Sequence, residues 1–490
     1  MSGERVVLTP IDGALLIVDG RAYAGEISIS NGDAGIVVVE ETTIDRYLYG
    51  IAEVPFSWPI EALRAQAIAA RTYLAWTLER GRSSNGRRYG YDICATDQCQ
   101  VYRGLNGVGG DDGERWRQAV ETTGSQVLFD GSSPLQALYS STSGGRTRSV
   151  EDVFGGSPNP HLTAAASPNE ASPFASWRFG VEFDQMESLA REAGHLEGDL
   201  LTVRTRVVPD GAGPWQVEFV GTDGTVSVPT WELRTDLNRA ARSLLPDLFP
   251  VARPDRPDRR YPQTIMSPSY LITEVIRYES VPTGPPRFVP FFEVRGNGWG
   301  HLVGMSQYGA EAMARSGSPA EDIVAHYYGG LRPAPAGTML PDTVRVGLTT
   351  SAESVSVDST GAVAVVMDGV EVTPASLGSW AFDTRDGAMI VSPPEGLGLA
   401  PEVEDIQVFT RGDGVVELIA ARLVAAAEVR FVVSIGGATV ETTPWTIREA
   451  GRVAHSLSLG AVDQPVRVEI QTRSPDGSDT VVRFVIPDAA

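Results

Sequence analysis

Short runs of β-branched and apolar residues open the chain. ALLIVDG, AYAGEISIS and AGIVVVEE, within residues 14–41, are separated by Asp-Gly and Asn-Gly and read as strands joined by tight turns. The period then changes. Ile60, Leu63, Ala67, Ala70, Leu74 and Leu78 recur at steps of three and four, which predicts a helix from about Pro59 to Arg80 with one buried stripe. Ser57 and Trp58 stand at its start, Pro59 occupies an early position that tolerates proline, and Gly81 can end it. Gln66 and Arg71 are polar residues on this alanine-rich helix, and helix arithmetic alone places them on a solvated flank.

Residues 116–156 predict a short helix ending near Gly124, a hairpin turning at Asp130-Gly131, and a strand running into the Ser/Thr/Gly cluster 140–147. Such a cluster is either an ordinary loop or a place where hydroxyls meet a polyhydroxylated ligand. Residues 160–290 are less regular and richer in Pro and Asp, with a helix expected over 230–246 and ARPDRPDRRYP (252–262) as a linker or exposed extended segment. Order returns at RGNGWGHLVGMSQYGAEAMARSG (295–317), where a helix should start near Ser306. This glycine-rich stretch lacks the G-x-G-x-x-G spacing, a Gly-Lys-Ser/Thr and a G-x-S-x-G, so it is neither a nucleotide loop nor a nucleophile elbow. Trp299 and His301 among glycines suit a sugar-stacking platform with a hydrogen-bonding group beside it. Beyond about residue 340, runs such as SVSVDS, EVRFVVSIGG and TVVRFVIP alternate with Gly/Asp turns, which predicts an all-β, sandwich-like region whose function is not readable.

The chain has 490 residues, enough for about three domains. A net charge of −22 argues against nucleic acid and anionic membrane surfaces as partners. No run approaches the roughly 20 apolar residues of a membrane span. Met1–Arg5 lacks the basic start and apolar run of a signal peptide, which fits either a cytoplasmic protein or a chain without its leader. Cys94 and Cys99, the two cysteines, lie in DICATDQCQVY. A disulfide, two free thiols or part of a metal site all remain open, although no histidine stands in this loop to complete a zinc set.

Glu53 is the one carboxylate in an uncharged approach, YLYGIAEVPF, to the long helix. Burial there would favour its neutral form, which is how a general acid is made.

These blocks resemble, in order, the stage II sporulation protein D / LytB (SpoIID/LytB) family. The motifs that carry the likeness are YLYGIAEVPFSWPIEALRAQAIAARTYL, DICATDQCQVYRG, the segment around PLQALYSSTSGGRT, and GNGWGHLVGMSQYGAEAMA, spread over roughly residues 20–335. The resemblance implies a bacterial cell-wall protein, secreted or in the cell envelope. Its function would be lytic transglycosylase cleavage of peptidoglycan glycan strands or, alternatively, glycan binding or enhancement of a cell-wall amidase without cleavage. It places the catalytic acid at Glu53 and groove residues at Tyr139 and Ser143, with Gln66 and Arg71 as structural support. Trp299, His301 and Gln307 join the candidate substrate-binding residues. Some members bind zinc near the positions of Cys94 and Cys99 with added histidines. Those are missing here, which argues against a metal. The scarcity of cysteine, the four-residue separation of Cys94 and Cys99 and the implied extracytoplasmic location make a Cys94–Cys99 disulfide the expectation, with no metal and no cofactor. Leu302 stands where the family commonly has glycine. Glu151 and Asp152 are the nearest candidates for a second carboxylate, which a hydrolase would need. The expected class is α+β: a SpoIID-like domain over 1–335 with an irregular insert at about 160–290, a small β module over 336–400 and a sandwich-like domain over 401–490.

Overall fold

The computed structural model describes residues 5–105, 109–279, 287–376, 378–385 and 388–394. Beyond these it describes strand segments between 403 and 486, namely 403–410, 416–423, 427–435, 438–444, 446–448, 451–456, 466–473 and 479–486. Helices and sheets occur together, and the class is α+β as expected. The chain divides into two units, residues 1–40 with 349–490, and residues 41–348.

In the first unit the N-terminal strands find their partners far along the chain. Arg5–Pro10 pairs antiparallel with Glu26–Gly32 on one side and with Val363–Met367 on the other. Leu16–Val18 likewise pairs with Arg21–Tyr23 and with Ser354–Ser359, which continues into Trp380–Arg385 and Ala388–Ser392. Val6, Leu8, Ile27, Ile29, Val363 and Val365 are all buried. The N-terminal strands thus group with residues beyond 349. Alternation shows that a segment is a strand but not which distant edge it will join. The C-terminal segments form a three-stranded sheet (Val403–Thr410, Val416–Leu423, Gly451–Ser456) and a second sheet centred on Ala427–Ile435 and Val466–Arg473.

The second unit is built on the helix Ile60–Arg80. From Ala62 to Ala75 it is buried on nearly every side, not along a single stripe. Three helices pack on it: Gly110–Thr122, Gln307–Arg315 and Ala320–Tyr327. Alanine makes this possible, because a methyl group lets a neighbouring backbone come close without a cavity. Gln66 and Arg71 are each only 1% exposed, so the solvated flank expected from helix arithmetic does not exist. The Arg71 guanidinium donates to the carbonyls of Val120 (2.9 Å) and Gln126 (3.4 Å) and to Thr123 Oγ1 (3.2 Å), and burial lowers its pKa to about 10. It ties the middle of the long helix to the open C-terminal end of Gly110–Thr122, where carbonyls lack intrahelical partners.

The segment expected to be least regular carries a core of its own. Ser176–Glu182, Arg287–Asn297 and Tyr270–Glu279 form an antiparallel sheet, and the helices Phe183–Glu192 and Thr230–Leu244 bring Met186, Leu189, Leu233 and Leu237 to the same cluster. Trp177, Phe179, Phe219, Tyr270 and Phe292 fill it. The strand Arg287–Asn297 runs directly into Gly298, whose carbonyl accepts from Trp177 Nε1 (2.9 Å). The glycine-rich loop therefore starts from a fixed point.

Replacing Arg71 with Leu would remove a donor from three oxygens, of which the Val120 carbonyl keeps a second one, from the Thr123 hydroxyl (3.0 Å). Unfolding free energy should fall by about 3 kcal/mol, read as a lower urea midpoint. Lysine should restore only part of the loss, since an ammonium cannot reach all three acceptors with the fixed geometry of a guanidinium.

Candidate functional site

Glu53 follows the helix Ile44–Tyr49, which Thr43 caps by accepting from Arg46 N–H and which ends at Gly50. Gly50 is required by close approach: a Cβ there would lie 2.2 Å from Cε2 of Tyr102. Tyr102 stacks on Tyr47 (centroids 5.2 Å apart), and Ala52 N–H donates to the Val101 carbonyl (2.9 Å). Two residues just after the disulfide loop are thereby clamped to the approach segment. Val101 N–H in turn donates to Glu53 Oε1 (2.7 Å). The carboxyl is half-buried. Desolvation raises its pKa above the usual carboxylate value, the Val101 N–H and the Gln307 side chain pull it back, and the charge of Asp97 adds to the rise. The rise prevails, so Glu53 favours its neutral form over a wider pH range than an exposed glutamate.

Gln100, which sequence reasoning passed over, organises the groups next to it. It is fully buried, and its Nε2 donates to the carbonyl of Ala70 on the long helix (3.1 Å). A carbonyl can only accept, and this fixes the orientation of the amide. The same Nε2 then donates to the Tyr139 hydroxyl oxygen (2.9 Å), while Oε1 accepts from the Tyr47 hydroxyl (2.7 Å). Tyr139 keeps its own proton to donate. Burial and the nearby Glu53 raise its pKa well above that of a free phenol. Gln307 opens the helix Gln307–Arg315, whose N-cap Ser306 accepts from Gly309 N–H. Its Nε2 donates to Oε1 of Gln66 (3.3 Å), and its side chain reaches Glu53. Gln307 thus bridges Glu53 and Gln66, while Gln100 joins Tyr47 and Tyr139 beside them, with Tyr139 within electrostatic reach of Glu53.

Ser143 is placed differently. Its backbone N–H and its hydroxyl both donate to Oε1 of Glu170 (3.3 and 2.6 Å). Glu170 also accepts from Gly144 N–H (2.8 Å), the Ser306 hydroxyl (2.7 Å) and the Thr142 hydroxyl. Burial alone would raise the pKa of Glu170, but the hydroxyls of Ser143, Ser167, Thr142 and Ser306 outweigh it and hold the group below its usual value. The Ser/Thr/Gly cluster thus wraps an internal carboxylate. No local signal tied Glu170 to it, since they are more than twenty residues apart.

His301 has both ring nitrogens engaged by backbone. Nδ1 accepts from Val303 N–H (3.0 Å), and the other nitrogen bonds the Tyr139 backbone. Burial and the neighbouring Arg234 charge lower its pKa to about 4, so it is neutral and orients the Tyr139 strand. Trp299 packs against the core of the preceding sheet and meets Phe174 edge-on at 5.0 Å. Of the glycine-rich loop, Gln307 meets Glu53, while Trp299 is turned into the neighbouring core. Leu302 is buried with φ 68°, a conformation that glycine adopts freely. Its N–H donates to Ser140 Oγ (3.2 Å) and its carbonyl accepts from Arg148 N–H (2.8 Å), so the loop keeps this conformation with a side chain in place.

Cys94 and Cys99 are joined in a disulfide with Cα atoms 5.6 Å apart. Among the described residues, no group of three or more His, Cys, Asp or Glu side chains is arranged to hold a metal. Asp152 is buried and accepts from Gly211 N–H (2.8 and 3.0 Å to its two oxygens) and Gly213 N–H (3.3 Å), so it anchors a turn. No helix of the described residues is long and apolar enough to cross a membrane.

Residues 32–129 match the family model for stage II sporulation protein, SpoIID. A stage II sporulation protein D of Bacillus amyloliquefaciens is 27% identical over 303 residues, covering 60% of this chain and 74% of that protein. An uncharacterized protein of Brachyspira hyodysenteriae (strain ATCC 49526 / WA1) is 25% identical over 334 residues, 67% of this chain and 76% of that protein. An amidase enhancer of Bacillus subtilis (strain 168) is 26% identical over 292 residues, 57% of this chain but only 38% of that protein. The resemblance read from the motifs is borne out: residues 32–129 match the SpoIID model, and relatives with stage II sporulation protein D and amidase enhancer names match over longer stretches. Glu53, Gln66, Arg71, Cys94 and Cys99 fall inside the matched span, whereas Tyr139, Ser143, Trp299, His301 and Gln307 lie beyond it.

The two glutamates should show opposite pH signatures. A raised folded pKa contributes stability that is present below the ordinary value of 4.5 and is lost as pH rises through the folded value. Glu53→Gln should therefore raise the melting midpoint at about pH 7, with the gain vanishing below about pH 4. A depressed folded pKa contributes stability above the ordinary value, lost as pH falls through the folded one. Glu170→Gln should accordingly lower the midpoint at about pH 7, with the deficit shrinking as pH falls below about 4. Melting curves of both variants across this range check the signs.

Proposed function

We propose that this protein cleaves the glycan strands of bacterial peptidoglycan by a lytic transglycosylase mechanism, with Glu53 as general acid and then base. The observation that carries the reading is the half-buried Glu53 carboxyl, its pKa raised and its position set by Val101 N–H and the Gln307 side chain. In the first half of the reaction Glu53 gives its proton to the glycosidic oxygen, and the bond from that oxygen to C1 of N-acetylmuramic acid breaks. In the second half the 6-hydroxyl of the same sugar bonds to C1 and returns its proton to Glu53. A 1,6-anhydro ring results, no water is consumed, and the acid is regenerated. Attack is intramolecular, so a well-held sugar can gain roughly 7–11 kcal/mol from positioning alone.

This route needs one carboxyl where most glycosidases need two. Of the two candidates for a second, Glu151 and Asp152, Asp152 has its oxygens occupied by the 211–213 turn, which supports a route that does not use it. The neutral Tyr139 hydroxyl is a further donor beside Glu53. We place the protein outside the cytoplasm or in the cell envelope, a setting consistent with the Cys94–Cys99 disulfide. The second reading, a glycan-binding protein or enhancer of a cell-wall amidase that does no cleavage itself, draws on the likeness to a protein named amidase enhancer.

Mass spectrometry of purified glycan strands after incubation decides between them. Wild type should yield 1,6-anhydro ends, and Glu53→Gln should lose at least the 10²–10⁴-fold usual for general acid–base catalysis while still binding strands. Free reducing ends would point to a hydrolase. Binding without any cleavage, together with stimulation of an amidase, would favour the enhancer.

A further inference from the structure

Trp231 and Arg234 lie one turn apart on the helix Thr230–Leu244, so their side chains share a face. The guanidinium carbon of Arg234 stands 4.9 Å from the centroid of the indole. Trp231 meets Phe154 edge-on at 5.1 Å and the His301 ring at 6.4 Å, and Phe154 meets His301 at 6.0 Å. Phe154 is 42% exposed, and Trp231, Arg234 and His301 are half-buried. The result is a surface patch with aromatic walls and one cation.

That cation is short of partners. Arg234 Nη2 donates to the Gln263 side chain, Nε is buried without an acceptor, and no carboxylate among the described residues is in ion-pair contact with the guanidinium. Taking a charge out of water with only the Asp97 charge, beyond ion-pair contact, to offset it is costly, so such a group calls for an anion from outside. The patch is also linked to the Glu53 site through Tyr139. His301 bonds the backbone of Tyr139, whose hydroxyl is held by Gln100 next to the Val101 N–H on Glu53. Asp97 lies within electrostatic reach of both Glu53 and Arg234.

We propose that Arg234, stacked on Trp231 and walled by Phe154 and His301, forms an anion subsite beside Glu53 for a carboxylate carried by the muramyl sugar of a glycan strand. The proposal rests on the glycan-strand reading of the Glu53 site and adds a recognition element to it. The carboxylate is either the lactyl group of the sugar or an acid of an attached stem peptide. A local cation matters more here because the chain carries a net charge of −22 and repels an acidic polymer elsewhere. An arginine fork suits a planar carboxylate, and the indole keeps it from swinging away.

The test is calorimetric titration of the full chain carrying Glu53→Gln, which prevents turnover. The probes are strands stripped of peptides, the same strands with their carboxyls converted to neutral amides, strands that keep their stem peptides, and chitin oligomers, which have no carboxyl. Stripped strands should bind about tenfold or more tightly over amidated strands and chitin, a preference within reach of one charge-assisted contact. Adding Arg234→Gln should abolish the preference and leave chitin affinity unchanged. Tighter binding of peptide-bearing than of stripped strands would assign the carboxylate to the peptide; the reverse would assign it to the lactyl group. Equal affinity for stripped, amidated and peptide-bearing strands overturns the subsite while leaving the glycan reading intact, and it does so without relying on the Arg234 variant to fold. Failure of every strand to bind overturns both.

Discussion

The close packing of backbone around the alanine-rich helix Ile60–Arg80 is the constraint on which the site depends. Three helices pack on it, and the site's hydrogen bonds are anchored to it. The Ala70 carbonyl orients Gln100, which sets Tyr139. Gln66 receives Gln307, and Thr72 Oγ1 accepts from Leu128 N–H at the hairpin that precedes Tyr139. Larger side chains on this helix would push those elements outward and lengthen bonds that tolerate only a few tenths of an ångström. The geometry of the site and core packing are here one problem.

Two glutamates with the same chemistry end in opposite states because of what surrounds them. Glu53 sees one backbone N–H, one amide and the charges of Asp97 and Arg103, and desolvation prevails. Glu170 sits among the hydroxyls of Thr142, Ser143, Ser167 and Ser306, and hydrogen bonding prevails. The first is poised to hold a proton, and the second holds together the strand ends Tyr139–Ser140 and Met305–Ser306, which pair in parallel. A serine-rich loop that looked suited to binding sugar hydroxyls is thus occupied by the protein's own carboxylate.

The glycine-rich loop reconciles a rigid start with a demanding course. It leaves the sheet at Gly298 and carries Leu302 through a left-handed conformation before delivering Gln307 to Glu53. Such a conformation costs a non-glycine residue about 1–2 kcal/mol. Burial of the leucine side chain at 1% exposure contributes in the opposite direction. The departure from glycine at this position is accommodated without opening the loop.

Local pattern was enough for the elements whose cause is local. The helix Ile60–Arg80, the helix beginning after Ser306 and the hairpin at Asp130–Gly131 were all legible, because three- and four-residue periodicity, caps and turn residues act over a few positions. So was the oddity of Glu53, whose uncharged neighbours in sequence are also part of its surroundings in space. What only the tertiary structure decided is every partnership across distance. Gln66 and Arg71 are buried because three helices cover the face that helix arithmetic left to solvent. Gln100 and Glu170 gain their roles from atoms far away in the chain, and residues 5–32 pair with strands beyond 349. His301 and Trp299, alike in sequence setting, part ways because one bonds the backbone of Tyr139 and the other packs, half-buried, against the core that includes Phe292 and Val294. Burial and charge state depend on which surfaces meet, and periodicity carries no record of that.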